Sequence, residues 1–514
     1  MTDAPPLVEG PAGAFRGAAQ GGVEVFRGIR YAEPPVGALR WRDPVPASPP
    51  DGVVDATAFG AIAPQQRNAA LNLGDQVMQS EDCLFLNVWR PAGTTPDAAL
   101  PVMVWVHGGA YTFGSGSQPV YDGTALVETG KVIVVTINYR IGALGFLDLS
   151  SFSTAQDRFD GNLALKDVIA ALRWVQAGIA AFGGDAGRVT VFGESAGGGL
   201  VTTLLTVPSA RGLVHRVIAE SSPVSSAYGP GRAHSVAERF LATVGVDAAE
   251  PAALRDLSAE RIVEATMRVF AEVPRSEPGT IAFAPVVDGD LVPEAPLTSL
   301  REGRALPLPL LIGTNKDEAS FFRYMKSPLL PITDEDIRRM FDDLHAENPA
   351  LELPAMEQVR AAYEGVRPHA VGLGIARDIG FRMPTLWAVE GHSLIAPVWL
   401  YRFDFAPPFL RLIGLGATHA AELPYVWGNL DAARRNPAFR LGGRRAAEEI
   451  SARMRHRWTA FARGENPDAP DGPAWPPFRT DAAATLVIDR EDRVALDLDE
   501  GLHAGWGETP LAFD

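Results

Sequence analysis

Short unbroken apolar runs alternate with helical periodicities through most of the chain. VMVWV at 102–106 and VIVVTI at 132–137 are β-branched runs with almost no polar break. That is how strands buried on both faces of a parallel sheet look in sequence. In LALKDVIAALRWV (163–175), Leu165, Val168, Ile169, Leu172 and Val175 recur at helical spacing. VTVF (189–192) predicts another strand, AGGGLVTTLL opens a helix, and LPLLIGT (308–314) is again strand-like. Strands alternating with helices predict an α/β fold, with a mostly parallel central sheet flanked by helices.

Two regions break this rhythm. The first 60 residues alternate apolar and polar positions among many Gly and Pro, which predicts antiparallel ribbons at one edge of the sheet. Residues 321–395 have helical periodicity interrupted by Pro331, Pro349, Pro354, Pro368 and Pro384. They predict a mainly helical insertion at about 321–410. Length alone would suggest about three domains. With no internal repeat or low-complexity linker, a single interrupted domain over 1–514 is the expectation.

Charge and cysteine content narrow the classes. The chain has 46 basic and 62 acidic residues, a formal net charge of −16, and no clustering of basic residues along the sequence. Nucleic acid and anionic membrane are therefore not expected as partners. MTDAPPLVEGPAG lacks the basic and apolar regions of a signal peptide. No apolar run approaches the ~20 residues of a membrane-spanning helix. Cys83 is the only cysteine, so no intrachain disulfide can form. A cytoplasmic protein, monomeric or weakly homo-oligomeric, is the expectation. Neither a phosphate loop nor Cys/His ligand spacing occurs, so no cofactor or metal is expected.

The segment TVFGESAGGG (190–199) carries the chemistry. A strand turning sharply into a helix presents its turn residue at the carboxyl edge of the sheet. Gly193 and Gly197 flank Ser195 at positions where side chains would collide as the backbone folds back. The helix from Ala196 supplies its positive end and free N–H groups. A glycine turn with an incidental serine is the bland alternative, and the strand before and helix after it favour a nucleophile.

A serine hydroxyl needs a base, and the base an orienting acid. Of nine histidines, His215, His234, His345, His369, His392, His456 and His503 lie in helix-like or terminal stretches that suit packed or solvated rings. His107 opens HGGA after a strand and suits bracing of that loop. His419 lies in GATHAAELPYVWG, late enough to fit the order serine, acid, histidine. GTNKDEASFF (313–322) offers Asp317 and Glu318, between which spacing does not choose. The glycines of HGGA let backbone N–H groups approach a substrate oxygen, to form an oxyanion hole with the N–H of Ala196.

These residues resemble the type-B carboxylesterases of the α/β-hydrolase fold, nearer the bacterial para-nitrobenzyl esterase type than the animal cholinesterases. FRGIRYAEPPVGALRW (26–41), EDCLFLNVWRP (81–91), FGGDAGRVTVFGESAG (182–197), GTNKDEASFF and GATHAAELPYVWG are similar to that family's blocks and span nearly the whole chain. The resemblance implies Ser195 as nucleophile, Glu318 as acid and His419 as base, with oxyanion donors at Gly109, Ala110 and Ala196. It also implies structural ion pairs of Arg40 with Glu81 and of Arg140 with Asp167.

Departures matter too. Ala63 stands where many relatives have the partner cysteine of Cys83, which implies a free, packed thiol. Residues 64–82 contain no tryptophan, so a choline ester would lack its cation–π platform. Ser222, followed by Pro223, replaces a usual glycine and implies a reshaped pocket wall. The expected function is hydrolysis of small short- to medium-chain carboxylic esters through an acyl-enzyme. The same residues would serve an amide or carbamate hydrolase. A non-catalytic binding relative would be marked by loss of the serine or histidine, and both are present.

Overall fold

The apolar runs lie side by side in one sheet of eleven strands. The computed structural model describes residues 5–68, 71–74, 77–432 and 437–511. Seven strands form a parallel block in the order Ile133–Ile137, Leu100–Val106, Gly184–Glu194, Arg216–Glu220, Leu310–Asn315, Val398–Phe403 and Ala484–Ile488. Antiparallel strands flank it: Phe85–Pro91, Val23–Arg30 and Ala18–Gln20 on one side, Arg493–Leu496 on the other. The expected N-terminal ribbons divide between this edge and a separate three-stranded sheet of Leu7–Gly10, Gly13–Arg16 and Val53–Asp55.

Burial on both faces follows from strand alternation. Along Leu100–Val106, Val102, Val104 and Val106 point into one core, whereas Met103 and Trp105 point into another. The first core is covered by helices such as Leu163–Gly178, which contributes Leu165, Val168, Leu172 and Val175. The second is aromatic. Trp105 packs edge-on against Trp427 with ring centroids 5.2 Å apart, and Phe192 stacks on Trp427 at 5.4 Å.

Two long helices, Pro230–Val244 and Ala259–Ser276, stand between the strands Arg216–Glu220 and Leu310–Asn315. Beyond the latter strand come Ala319–Tyr324, Asp334–Glu347, Met356–Ala361, Pro368–Arg377 and Met383–His392. The helical run ends there, because Val398–Phe403 returns to the central sheet; it is thus shorter than 321–410. Pro368 begins a helix, where the first turn needs no N–H donor, whereas Pro384 follows the π-helical turn Asp378–Arg382 that joins Pro368–Arg377 to Met383–His392.

Two buried ion pairs tie loops to this frame. Arg40 donates from Nε to Glu81 at 2.7 Å and also binds the Leu257 carbonyl at 2.7 Å. Arg140 grips both oxygens of Asp167 at 2.7 and 2.8 Å. Cys83 is fully buried, and that burial pushes its thiol well above the ordinary range.

Candidate active site

Between Glu194 and Ala196 the chain passes from the strand Gly184–Glu194 into the helix Ala196–Leu204. Ser195 holds the turn at φ 57°, ψ −125°, a strained conformation for a residue with a side chain. The flanking glycines are required. A Cβ on Gly197 would sit 2.0 Å from the Val106 carbonyl oxygen, and one on Gly193 would sit 2.7 Å from the Gly197 backbone.

His419 arrives on the loop after Pro408–Leu412, and Glu318 on the turn after Leu310–Asn315. The His419 Nε2 lies 2.8 Å from Ser195 Oγ, and its Nδ1 lies 2.6 Å from Glu318 Oε2. A carboxylate only accepts, so Nδ1 carries the proton and Nε2 is left to accept from the serine. Glu318 is completely buried. Its Oε1 accepts the Asn315 N–H at 2.7 Å and the Ser221 hydroxyl at 2.6 Å. Asp317 turns away, and its Oδ2 accepts the Ala417 N–H at 3.0 Å.

The HGGA loop closes the other side. Gly109, Ala110 and Tyr111 all have positive φ, at 121°, 51° and 57°. Gly108 must lack a side chain, because a Cβ would lie 2.6 Å from the Glu194 carbonyl oxygen and 3.0 Å from Ser195 Cβ. Among the described residues, the N–H groups of Gly109, Ala110 and Ala196 make no hydrogen bond. His107 is buried away from Ser195. It stacks on Tyr139 at 4.3 Å, bonds the Gly108 carbonyl through Nδ1, and is kept neutral by its burial.

Three buried carboxyls surround this group without having been singled out in the sequence. Glu194 Oε1 lies 3.2 Å from His419 Nε2. Glu422 accepts from the Asn315 side-chain amide, which also donates to the Thr418 carbonyl at 2.8 Å. Glu220 accepts from the Trp458 indole at 2.7 Å. Burial is the main cause that raises the Glu194 carboxyl above its ordinary range; His419 opposes this, while Glu422 and Glu318 add to it. Burial and Glu318 likewise raise Glu422, and burial and Glu422 raise Glu220. Burial alone would hold His419 neutral, but Glu194 and Glu318 outweigh it, so its pKa lies above the usual 6.5. A sequence signal did exist. Glu194, Glu220 and Glu422 are acidic residues set in strand ends or small-residue loops that are otherwise apolar.

A base must be neutral, so kcat/KM for an ester should fall in acid as His419 gains a proton, along a limb lying above pH 6.5. Glu194→Gln removes one carboxylate that favours the imidazolium and should move that limb to lower pH. A pH–rate profile checks this, and a limb moved upward would contradict it.

The serine opens into a cavity of about 70 Å³ walled by Ala110, Tyr111, Pro223, Phe322, Leu329 and Phe381. Phe322 and Phe381 also pack on His419, with ring centroids 5.2 and 4.7 Å away. Ser222 does not form this wall. It is buried, its hydroxyl pairs with Thr202 at 3.0 Å, and Pro223 is the residue that reaches the pocket. A larger cleft, of about 830 Å³, contains Glu390, His503 and Glu508, the only metal-like grouping among the described residues. Arg301 ion-pairs with both of its carboxylates, which makes the grouping a salt-bridge network.

The doubly covered sheet with a serine at its strand–helix elbow defines an α/β-hydrolase. Comparison with known proteins narrows this: the carboxylesterase family profile matches residues 4–504. Para-nitrobenzyl esterase of Bacillus subtilis (strain 168) is 38% identical over 490 residues, covering 94% of this chain and 95% of that protein. Phenmedipham hydrolase of Pseudarthrobacter oxydans is 33% identical, with 96% of this chain and 97% of that protein covered. The crystal structure of Geobacillus stearothermophilus carboxylesterase superposes with a TM-score of 0.83 at 34% identity, covering 98% of this chain and all of that one. The chain belongs to the carboxylesterase family and is a carboxylic-ester hydrolase.

Proposed function

We propose that Ser195, His419 and Glu318 carry out ester hydrolysis by a two-step acyl-enzyme route. The observation that carries this reading is the continuous path from Ser195 Oγ through both nitrogens of His419 to buried Glu318, beside unused N–H groups. His419 Nε2 takes the serine proton as Oγ attacks the carbonyl carbon. The N–H groups of Gly109, Ala110 and Ala196 receive the oxyanion of the tetrahedral intermediate. His419 then protonates the leaving alkoxide and later deprotonates the attacking water, while Glu318 holds its tautomer. Amide or carbamate hydrolysis by the same residues is the second reading, and the relatives named as esterases favour the first.

The small cavity supports short to medium acyl groups and uncharged alcohols. The small side chain of Ala110, the residue of this loop's Gly108–Ala110 segment that lines the cavity, leaves room for branched and tertiary alcohol groups. Across para-nitrophenyl acetate, butyrate, octanoate and palmitate, kcat/KM should peak at or before octanoate. Butyrylcholine should be no better than its neutral analogue, and tert-butyl acetate should be hydrolysed. A maximum at palmitate, or strong choline selectivity, would overturn this account of the pocket.

A further inference from the structure

Folding brings together cations from three separate stretches of the sequence. Three stretches, 319–333, 405–421 and 437–447, contain no Asp or Glu, yet carry Arg323, Lys326, Arg411, Arg440, Arg444 and Arg445. They converge beside the pocket. The Ser320 hydroxyl donates to the Leu415 carbonyl, and a Cβ on Gly414 would lie 3.9 Å from the Arg323 guanidinium. A Cβ on Gly443 would lie 2.9 Å from the Pro408 ring. Arg444 pairs with Asp431 and Glu448, and Arg445 with Glu449. Arg323, Lys326, Arg411 and Arg440 are exposed and form no ion pair among the described residues.

Large apolar side chains stand among these cations. Leu412 is 73% exposed and Tyr324 67%, and Met325, Ile413 and Leu441 are exposed as well. Scattered singly they would need no explanation; grouped, they mark a contact surface. The position is specific. Phe322 and Leu329 both line the pocket, so residues 323–328 run along its rim, and the loop holding Ile413 leads directly to His419. On a chain of net charge −16, an apolar tip ringed by unpaired cations is complementary to an anionic lipid surface. The acidic remainder of the molecule is repelled by such a surface, which turns this face toward it. The expectation that anionic membrane is no partner rests on net charge, which does not describe this local distribution.

We propose that this face docks the protein on an anionic lipid–water interface with the pocket mouth toward the lipid. Its substrates then include neutral esters dissolved in that interface; this substrate clause rests on the ester-hydrolase reading of the pocket. Each cation within a Debye length of the surface contributes about fivefold to binding.

The test is cosedimentation of the Ser195→Ala protein with vesicles, so that binding is read without chemistry. Binding should occur to vesicles of equimolar phosphatidylglycerol and phosphatidylcholine, weaken with salt, and be absent with phosphatidylcholine alone. The combined variant R323E/K326E/R411E/R440E should bind at least about a hundredfold more weakly. In an otherwise wild-type background it should keep its melting temperature and its kcat/KM on soluble para-nitrophenyl acetate. L412S/I413S should also weaken vesicle binding. Docking is overturned if the parent protein ignores phosphatidylglycerol vesicles or if the four-site variant binds them equally well. It is also overturned if concentration-dependent self-association is found that the same variant abolishes, which makes the face a contact between copies. Vesicle binding by a wild-type protein that hydrolyses no ester would remove the substrate clause and leave docking standing.

Discussion

Replacing Ser195 by alanine should lower kcat for para-nitrophenyl butyrate by a factor on the order of 10⁶, close to the loss expected when the nucleophile of an acting unit is removed. No other hydroxyl in the site is placed to substitute. Ser221 donates to Glu318 at 2.6 Å and is fully buried. Ser225 and Ser226 line the cavity, but the nitrogen His419 turns toward the pocket is bonded to Ser195. An organophosphate should therefore label Ser195 alone, and mass spectrometry of the labelled peptide reads the site. The Ser195→Ala protein should keep the wild-type melting temperature, since the hydroxyl's one partner is His419 and alanine fits the same backbone turn no worse than serine. A label on another serine, together with retained activity in Ser195→Ala, would show that a different nucleophile operates.

How much of this was legible in the sequence depends on distance along the chain. The parallel strands could be read because each is a local apolar run, and the serine elbow because strand, glycines and helix lie within a dozen residues. The helices Pro230–Val244 and Ala259–Ser276 were not read. Both are strongly amphipathic, but the first is rich in polar residues and the second carries Pro274 near its end. The antiparallel edge was foreseen, yet its division into two sheets was not, because pairing partners as distant as Phe15 and Val54 leave no local trace. The same limit governs the site. Glu194 and Glu422 stand out in sequence only as acids in apolar surroundings; they become neighbours of His419, with Glu220 beside both, only through the sheet and the histidine loop. The cationic rim was hidden for the same reason: its members lie in three stretches, the first parted from the others by the long acidic segment 334–404.

Spacing alone also could not decide between Asp317 and Glu318, and here the structure makes a sharp distinction that mutation can test. Glu318 accepts from three donors at once: the His419 ring, the Asn315 N–H and the Ser221 hydroxyl. In Glu318→Gln one oxygen becomes an NH₂ group. If that group faces His419, the ring must accept at Nδ1 and carry its proton on Nε2, where it can no longer take the serine proton. If it faces the other way, it meets the Asn315 N–H, donor against donor, in a fully buried site, at a cost of about 1–3 kcal/mol. The first arrangement keeps more bonds and sets the wrong tautomer, so kcat should fall by about 10⁴-fold. Asp317→Asn can still present an oxygen to the Ala417 N–H, the one bond its carboxylate accepts across the loop. Its kcat should change by less than about tenfold. Steady-state kinetics of the two variants on one soluble ester decide the matter. A large loss in Asp317→Asn with Glu318→Gln nearly unaffected would require His419 to be oriented by a different acid from the one whose oxygen lies 2.6 Å from its Nδ1.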